Sequence, residues 1–283
     1  MVQLLGRKLT VSIGARSADT EISYNEDFQI TFTIKRSIDG KTPDTLNCSL
    51  FNVDFDNIWE YLFLDDAYIR IQGGYEGVFG TIFEGDITNA TQHIDGVNLV
   101  TEITAGDGEV AIEETNINKS YSPDINVSDV IDDLINTIVK NGEIVKDGFV
   151  NGQISSIPGK LQFGDLLNGK ASNYLSDYLN EAGKQFVIAD STLRVFENSF
   201  EEQVISLTTD TGLIDSPREK RVEKTSKAKG KQIVNGVDFR CLIIPGLLPG
   251  QKISIQDNEY IIQDITLNGT SRDGSWEAAG FAL

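Results

Sequence analysis

Between Lys8 and Ile103 polar and apolar residues alternate in six runs, a period-two pattern that predicts strands with one face turned inward. The runs are Lys8–Ile13, Phe28–Ile34, Leu46–Val53, Tyr68–Gly74, Gly80–Ala90 and Gly96–Ile103, and QITFTI, ending at Ile34, is the most regular. One stretch breaks the alternation. FDNIWEYLFLDD, Phe55 to Asp66, predicts a short helix capped by Asp56 or Asn57, with Ile58, Tyr61 and Leu62 against the sheet. His93-Ile-Asp-Gly96 predicts a hairpin, because Asp-Gly suits a primed turn.

The period changes after about residue 110. Ser128 is the predicted N-cap of a helix in which Val130, Leu134, Ile135 and Ile138 share one face. Asp129, Asp132 and Asp133 lie toward its positive end, and Asn141-Gly142 stops it. A second helix is predicted from Leu166 and Leu167 through Ala171, Tyr174, Leu175, Tyr178 and Leu179, ending at Gly183. Gln185–Ile188 and Thr192–Phe196 then predict a hairpin around Ala189-Asp190-Ser191.

From Val204 to Leu283 the chain reads as short strands separated by turns. Pro245-Gly246, Pro249-Gly250, Asn268-Gly269 and Asp273-Gly274 supply the turn chemistry. Lys252–Ile255 and Tyr260–Leu267 are rich in β-branched residues. The expected fold is mainly β with an α/β middle module: residues 1–110 rich in strands, 111–203 mixed, and 204–283 a small β-barrel or curled sheet.

Composition narrows the function. The 283 residues suit one large or two to three small domains, and no apolar run is long enough to span a bilayer. The start, MVQLLGRKLTVSIGA, lacks the layout of a secretory signal. A net charge of −19 argues against nonspecific binding to nucleic-acid backbone. It fits a solvated acidic exterior, or an acidic channel wall along which DNA slides. Against this background Arg218 to Lys231, REKRVEKTSKAKGK, holds seven Lys or Arg in fourteen residues. That stretch is a solvated connecting loop or exposed hairpin, or a dock for an acidic neighbour, for DNA or for an identical subunit. Cys48 and Cys241 lie far apart in strand-like contexts and are expected as buried free thiols.

Catalytic chemistry finds few parts. His93 is the one histidine, beside a predicted turn, so a serine or cysteine nucleophile has a single candidate base. Zinc is disfavoured without His or Cys clusters. Asp54, Asp56, Asp65 and Asp66 lack the Asp/Asn/Gly loop ending in Glu that calcium favours. Gly73-Gly74 and Gly77 fall between strands rather than before a helix, so they are hairpin glycines and not a phosphate loop. The expectation is a non-enzyme with no catalytic, cofactor or metal residues.

Ordered motifs add a resemblance. Thr211-Gly212-Leu213-Ile214, Ser216-Pro217, Pro245, Leu248-Pro249-Gly250, Gly269, Gly274 and Trp276 stand in an order that resembles the C-terminal part of phage tail baseplate hub proteins, the late-control D and tail-hub family. Tyr68–Gly74 and Thr81–Asn89 are similar to the hairpin and return strand of the tube-related barrel with which hubs begin. Tyr121, Val127, Asp129-Val130-Ile131, Leu175, Leu179, Gly183 and Leu193–Phe196 match the middle α/β module. The likeness is collinear over nearly the whole chain.

The resemblance implies two tail-tube-like β-barrel domains in one chain, and a homotrimer presenting pseudo-sixfold symmetry. Such a hub joins a threefold tail-tip spike to the sixfold tube or tube initiator above, among other baseplate proteins, with DNA passing through without sequence recognition. It implies a place in the virion tail baseplate, assembled in the host cytoplasm, or in a phage-derived injection particle. Trp59 and Trp276 are candidates for subunit anchors or for core residues. The competing readings are a receptor- or carbohydrate-binding tail module, a wall hydrolase, and a sixfold tube initiator or distal tail protein.

Overall fold

The computed structural model describes residues 6–17, 21–62, 64, 66–197, 199, 204–226 and 230–283. The chain opens with β1 (Arg7–Ala15), β2 (Glu21–Asn25), β3 (Gln29–Ser37), β4 (Asp44–Phe51), helix α1 (Phe55–Leu62), β5 (Ala67–Tyr75), β6 (Val78–Asp95) and β7 (Asn98–Asp107). A π-helical turn (Val110–Glu114) leads into β8 (Asn116–Tyr121), α2 (Val127–Asn141), β9 (Val145–Lys146), α3 (Val150–Ser155), β10 (Asp165–Lys170), α4 (Ala171–Glu181), β11 (Gln185–Ala189) and β12 (Thr192–Phe196). The chain then returns to strands: β13 (Ile205–Ser206), β14 (Arg218–Ser226), β15 (Gly230–Leu242), β16 (Lys252–Ile255), β17 (Asn258–Thr270) and β18 (Trp276–Ala282). The fold is mainly β with a small helical module.

Strands from both ends of the chain lie in one 13-stranded sheet, in the order β14-β15-β18-β17-β3-β4-β7-β6-β5-β1-β2, with β16 and β13 attached at β17. The union is made by β17. Its first residues pair with β16, and Asp264 to Thr270 pair with Ser37 to Thr31 of β3. At that seam Gly269 faces Phe32, and a Cβ at residue 269 would overlap the Phe32 ring. The bare glycine lets Phe32 meet Trp276 edge-on, ring centres 5.8 Å apart, while the Arg7 guanidinium lies 5.2 Å from the indole. Trp276 is thus a core residue at the seam, and such aromatic pairs contribute about 0.5–1.5 kcal/mol beyond area burial.

Two apolar clusters result. One is built from both β segments, with Ile30, Phe32 and Ile34 of β3 beside Val237, Phe239 and Leu267 from the C-terminal strands. The other belongs to the middle segment, where Val130, Leu134, Ile135 and Ile138 of α2 pack on Leu175 and Leu179 of α4. Each fully buried aliphatic side chain contributes about 1.5–3 kcal/mol relative to exposure, so each cluster has ample means to cohere.

Several sequence expectations need correction. Residues 166 and 167 do not open a helix: they lie in β10, paired with β8, with Leu167 buried and Leu166 exposed as strand alternation requires. Helix α4 begins only after Gly169, whose φ of +143° breaks any helical continuation. The N-cap of α2 is Asn126 rather than Ser128: Asn126 has extended backbone, and its amide donates to Asp129 at 2.9 Å. The hairpin after His93 turns at Gly96 and Val97, so β7 starts at Asn98. Helix α1 is the short helix expected, but it begins at Phe55, so residues 56 and 57 lie inside its first turn rather than at its cap. Its Ile58 and Leu62 are buried as expected, whereas the side chains of Asp56, Asn57 and Trp59 lie outside the described residues. The strands β2, β8 and β9 and helix α3 went unread.

Candidate functional site

The first candidate site is the junction between sheet and helical module. The β11–β12 hairpin turns through Asp190 and Ser191, both with positive φ (+52° and +53°), the geometry of a tight primed turn. This turn is driven into the end of the large sheet. Arg36 of β3, 3% exposed, donates through Nη2 to Asp190 at 2.6 Å and to the Ile82 carbonyl at 2.9 Å. Its Nε lies 3.5 Å from Oδ2 of Asp44 on β4. Asp107, the last residue of β7, accepts the Ser191 backbone N–H at 3.0 Å. Arg16 completes the grip, donating to Ser191 Oγ at 3.3 Å while holding Asp86 at 2.9 Å.

Glycine opens the space for this contact. A Cβ on Gly40, in the β3–β4 turn, would lie 2.5 Å from the Phe186 carbonyl, and one on Gly108 would lie 2.8 Å from Ile188. Hairpin and sheet therefore touch along backbone as well as through charge.

The electrostatics are unbalanced. One guanidinium faces three carboxylates: Asp44 and Asp107 are buried with it, and Asp190 stands half-buried at the rim. Burial pushes the Asp107 carboxyl up to about 7, and the Asp190 charge adds to it against the opposing pull of Arg36. Burial likewise holds Asp44 well above the usual carboxylate range, although Arg36 draws it down. For Arg36 burial opposes the charge, but Asp190 and then Asp44 outweigh it and keep the guanidinium ionised. Oδ2 of Asp107 has no hydrogen-bond partner among the described residues, so nothing there offsets the cost of burying its charge. Breaking such a buried cluster by removing one partner typically costs about 3–5 kcal/mol.

The second candidate is the set of unpaired sheet edges. Among the described residues β14 is hydrogen-bonded to β15 alone, and the distal half of β6, from Asn89 to Asp95, to β7 alone. The basic stretch from Arg218 to Lys231 is largely this β14–β15 hairpin, so the hairpin alternative holds for its described backbone, with Arg218 to Arg221 exposed; residues 227–229 lie outside the described residues. Its root is tied down by Lys220, 3.6 Å from Asp238 and 4.9 Å from the Phe281 ring centre. Alongside, a cavity of about 500 Å³ runs between Asp215, Arg218, Arg240 and Asp264. Exposed apolar side chains stand near the ribbon ends: Ile94 and Val97 on β6–β7, Ile233 on β15.

The structure leaves His93 exposed on β6, opposite Val100. Both cysteines are buried free thiols, as expected, pushed up to about 12 by burial. Hydrogen bonds from Ser17, its side chain first and then its backbone N–H, lower the Asp66 carboxyl below the usual range. Among the described residues no cluster of His, Cys, Asp and Glu is placed to hold a metal, and no helix is long and apolar enough to cross a membrane. The junction residues Arg36, Asp44, Asp107 and Asp190 were missed in the sequence. A signal existed: period two puts Arg36 on the face of Ile30, Phe32 and Ile34, and Asp44 on that of Leu46, Cys48 and Leu50.

No protein-family model and no curated protein sequence matches the chain. Solved structures do. The chain is similar to the Escherichia coli c3393 protein, a component of the type VI secretion system with structural similarity to the T4 bacteriophage tail proteins gp27 and gp5. That likeness has a TM-score of 0.63 at 13% identity and covers 96% of this chain and 76% of the other. It is similar to the 43 kDa tail protein of prophage MuSo2 from Shewanella oneidensis, with a TM-score of 0.63 at 11% identity, over 96% of both chains. A tail protein from Neisseria meningitidis MC58 gives 0.60 at 10% identity, covering 97% of this chain and 96% of the other. The chain has the fold of these phage-tail and secretion-system proteins, the fold that the resemblance to baseplate hubs implies.

Proposed function

We propose that this chain is a structural hub of a phage tail baseplate, or of a phage-derived injection particle, and works as a homotrimeric ring between a threefold spike and a sixfold tube. The observation that carries the reading is the end-to-end likeness to tail proteins. It spans 96% of the MuSo2 protein as well as 96% of this chain, so a whole tail-protein fold is matched and not one shared module. The β3–β17 seam supports it: one chain joins two strand-rich segments side by side in a single sheet, the arrangement by which three chains present six units.

In this role the partners are two further copies, a spike below, a tube or tube initiator above, and neighbouring baseplate proteins, with DNA passing through the ring. The work is mechanical: rigid placement of symmetry-related surfaces, which the junction at Arg36 serves by locking the middle module to the sheet. Electron-microscopy class averages of the purified protein, alone and with its spike, test the reading. Threefold rings are expected. Sixfold rings point instead to a tube initiator or distal tail protein, and particles without rotational symmetry contradict the hub.

A further inference from the structure

We propose that the β11–β12 turn is a latch: it stays seated in the sheet while the buried carboxyl groups beneath it hold a proton, and it releases the middle module when that proton is lost. The device lies within one chain and stands whether or not copies form a ring. The contact it controls is narrow. Sheet and module have separate apolar clusters with no residue in common. Among the described residues no helix or strand of the module packs lengthwise on a strand of the sheet. What joins them is the turn itself, through Arg36 to Asp190, the Ser191 N–H to Asp107, and Arg16 to Ser191 Oγ. Phe186 and Ile188 reach Gly40 and Gly108 from the same hairpin, so they leave with it. Lys41 and Asp177, 3.3 Å apart, add an exposed pair of the kind that contributes little in salt. The chain enters the module through Gly108, whose φ of +73° puts a residue without a side chain at the pivot.

Beneath the seated turn, hydrogen bonding is incomplete. Asp44 and Asp107 are direct partners across β4 and β7, so their carboxyl groups share one face of the sheet. Oδ2 of each lacks a hydrogen bond among the described residues, and so do Nε and Nη1 of Arg36. The cavity beside Arg36 and Asp190, lined also by Ile82 and Leu248, is too narrow to seat a water molecule that could supply the missing partners. Buried polar atoms left in this state cost free energy that hydration would recover. Withdrawal of the turn hydrates them. The seated state therefore competes with a hydrated one, and charge decides between them.

The charged groups around Asp107 set the balance. Arg36 faces it from β3, Asp44 from β4 and Asp190 from the turn. Glu109 folds back over Gly106, and Arg16 is already matched by Asp86 and Glu84 of β6. Loss of the proton thus adds a negative charge where carboxylates already outnumber the one guanidinium. Burial holds Asp107 at about 7 while the turn is seated, and water returns it toward the usual 3.8 once the turn withdraws. The hold is therefore strongest in acid and is lost as pH rises through 7. Between pH 5 and pH 8 the ratio of released to seated chains rises about ninetyfold.

Distances between two nitroxide labels test this on the intact chain. Thr91→Cys on β6 and Asn173→Cys on α4 place one label on the sheet and one on the module; both positions are exposed, and native Cys48 and Cys241 are buried and stay unlabelled. One distance is expected at pH 5, and a second, from released chains, should grow in by pH 8 and vanish on return to pH 5. Asp107→Asn has no proton to lose at this site and should keep the pH 5 pattern at pH 8. A single distance at both pH values overturns the latch, and so does a second distance that grows equally in the Asn variant. Should that variant misfold, the reversible pH series on the chain with Asp107 in place decides alone.

Discussion

Asp107 carries the sharpest consequence of the junction. Its carboxyl is fully buried, accepts one N–H from Ser191, and shares a single guanidinium with Asp44 and Asp190. Held at about 7 in the fold against 3.8 for an exposed aspartate, it binds a proton more tightly when folded than unfolded. Its contribution is therefore fully present below pH 3.8 and is lost as pH rises through 7. At 1.36 kcal/mol per unit, a shift of this size corresponds to roughly 4 kcal/mol as an upper figure. Asp107→Asn keeps a carbonyl for the Ser191 N–H and removes the charge. Urea unfolding followed by tryptophan fluorescence at pH 5, 6, 7 and 8 reads the effect as the difference between the two proteins, which cancels the titration of groups distant from the junction. The wild type should lose about 2–3 kcal/mol relative to the variant between pH 5 and pH 8. A flat difference across that range would refute the reasoning, since Asp107 would then titrate alike in folded and unfolded chains.

Other outcomes follow from neighbouring features. Arg36→Met leaves three carboxylates facing one another and should cost about 3–5 kcal/mol at pH 8, less at pH 5 where protonation relieves them, measured by the same unfolding series. Gly269→Ala places a methyl group against the Phe32 ring at the β3–β17 seam and should destabilise by about 1–3 kcal/mol; a thermal midpoint equal to that of the wild type would show that the seam yields. Cys48 and Cys241, buried and pushed up to about 12, should stay unreactive to Ellman's reagent at pH 8 and give two thiols only in denaturant.

Much of the β architecture was legible because half-buried strands write their period into the chain. QITFTI placed Ile30, Phe32 and Ile34 on one face, and the structure buries those three. The middle module was read less well at its edges. Leu166-Leu167 followed by helical spacing reads as one helix, but pairing with β8 wins over local propensity for residues 165–170. The short strands β9 and β13, of two residues each, have no periodicity to show. The joining of the two β segments through β3 and β17 depends on contacts across more than 200 residues, and no local pattern reports it. At the junction the traces were local but were not combined: Arg36, Asp44 and Asp107 each end the apolar face of a strand, and only the register of β3, β4 and β7 shows that they end it together. Asp190 was read as a turn residue, which it is; that the turn is inserted between charges comes from tertiary packing alone.

The central claim is that this fold builds a threefold ring, and the mass of the protein in solution tests it most directly. Light scattering across a concentration series, alone and with the neighbouring spike protein, should give a species of three copies of the 31.1 kDa chain. Six copies, or a monomer that persists with the spike present, would contradict the account.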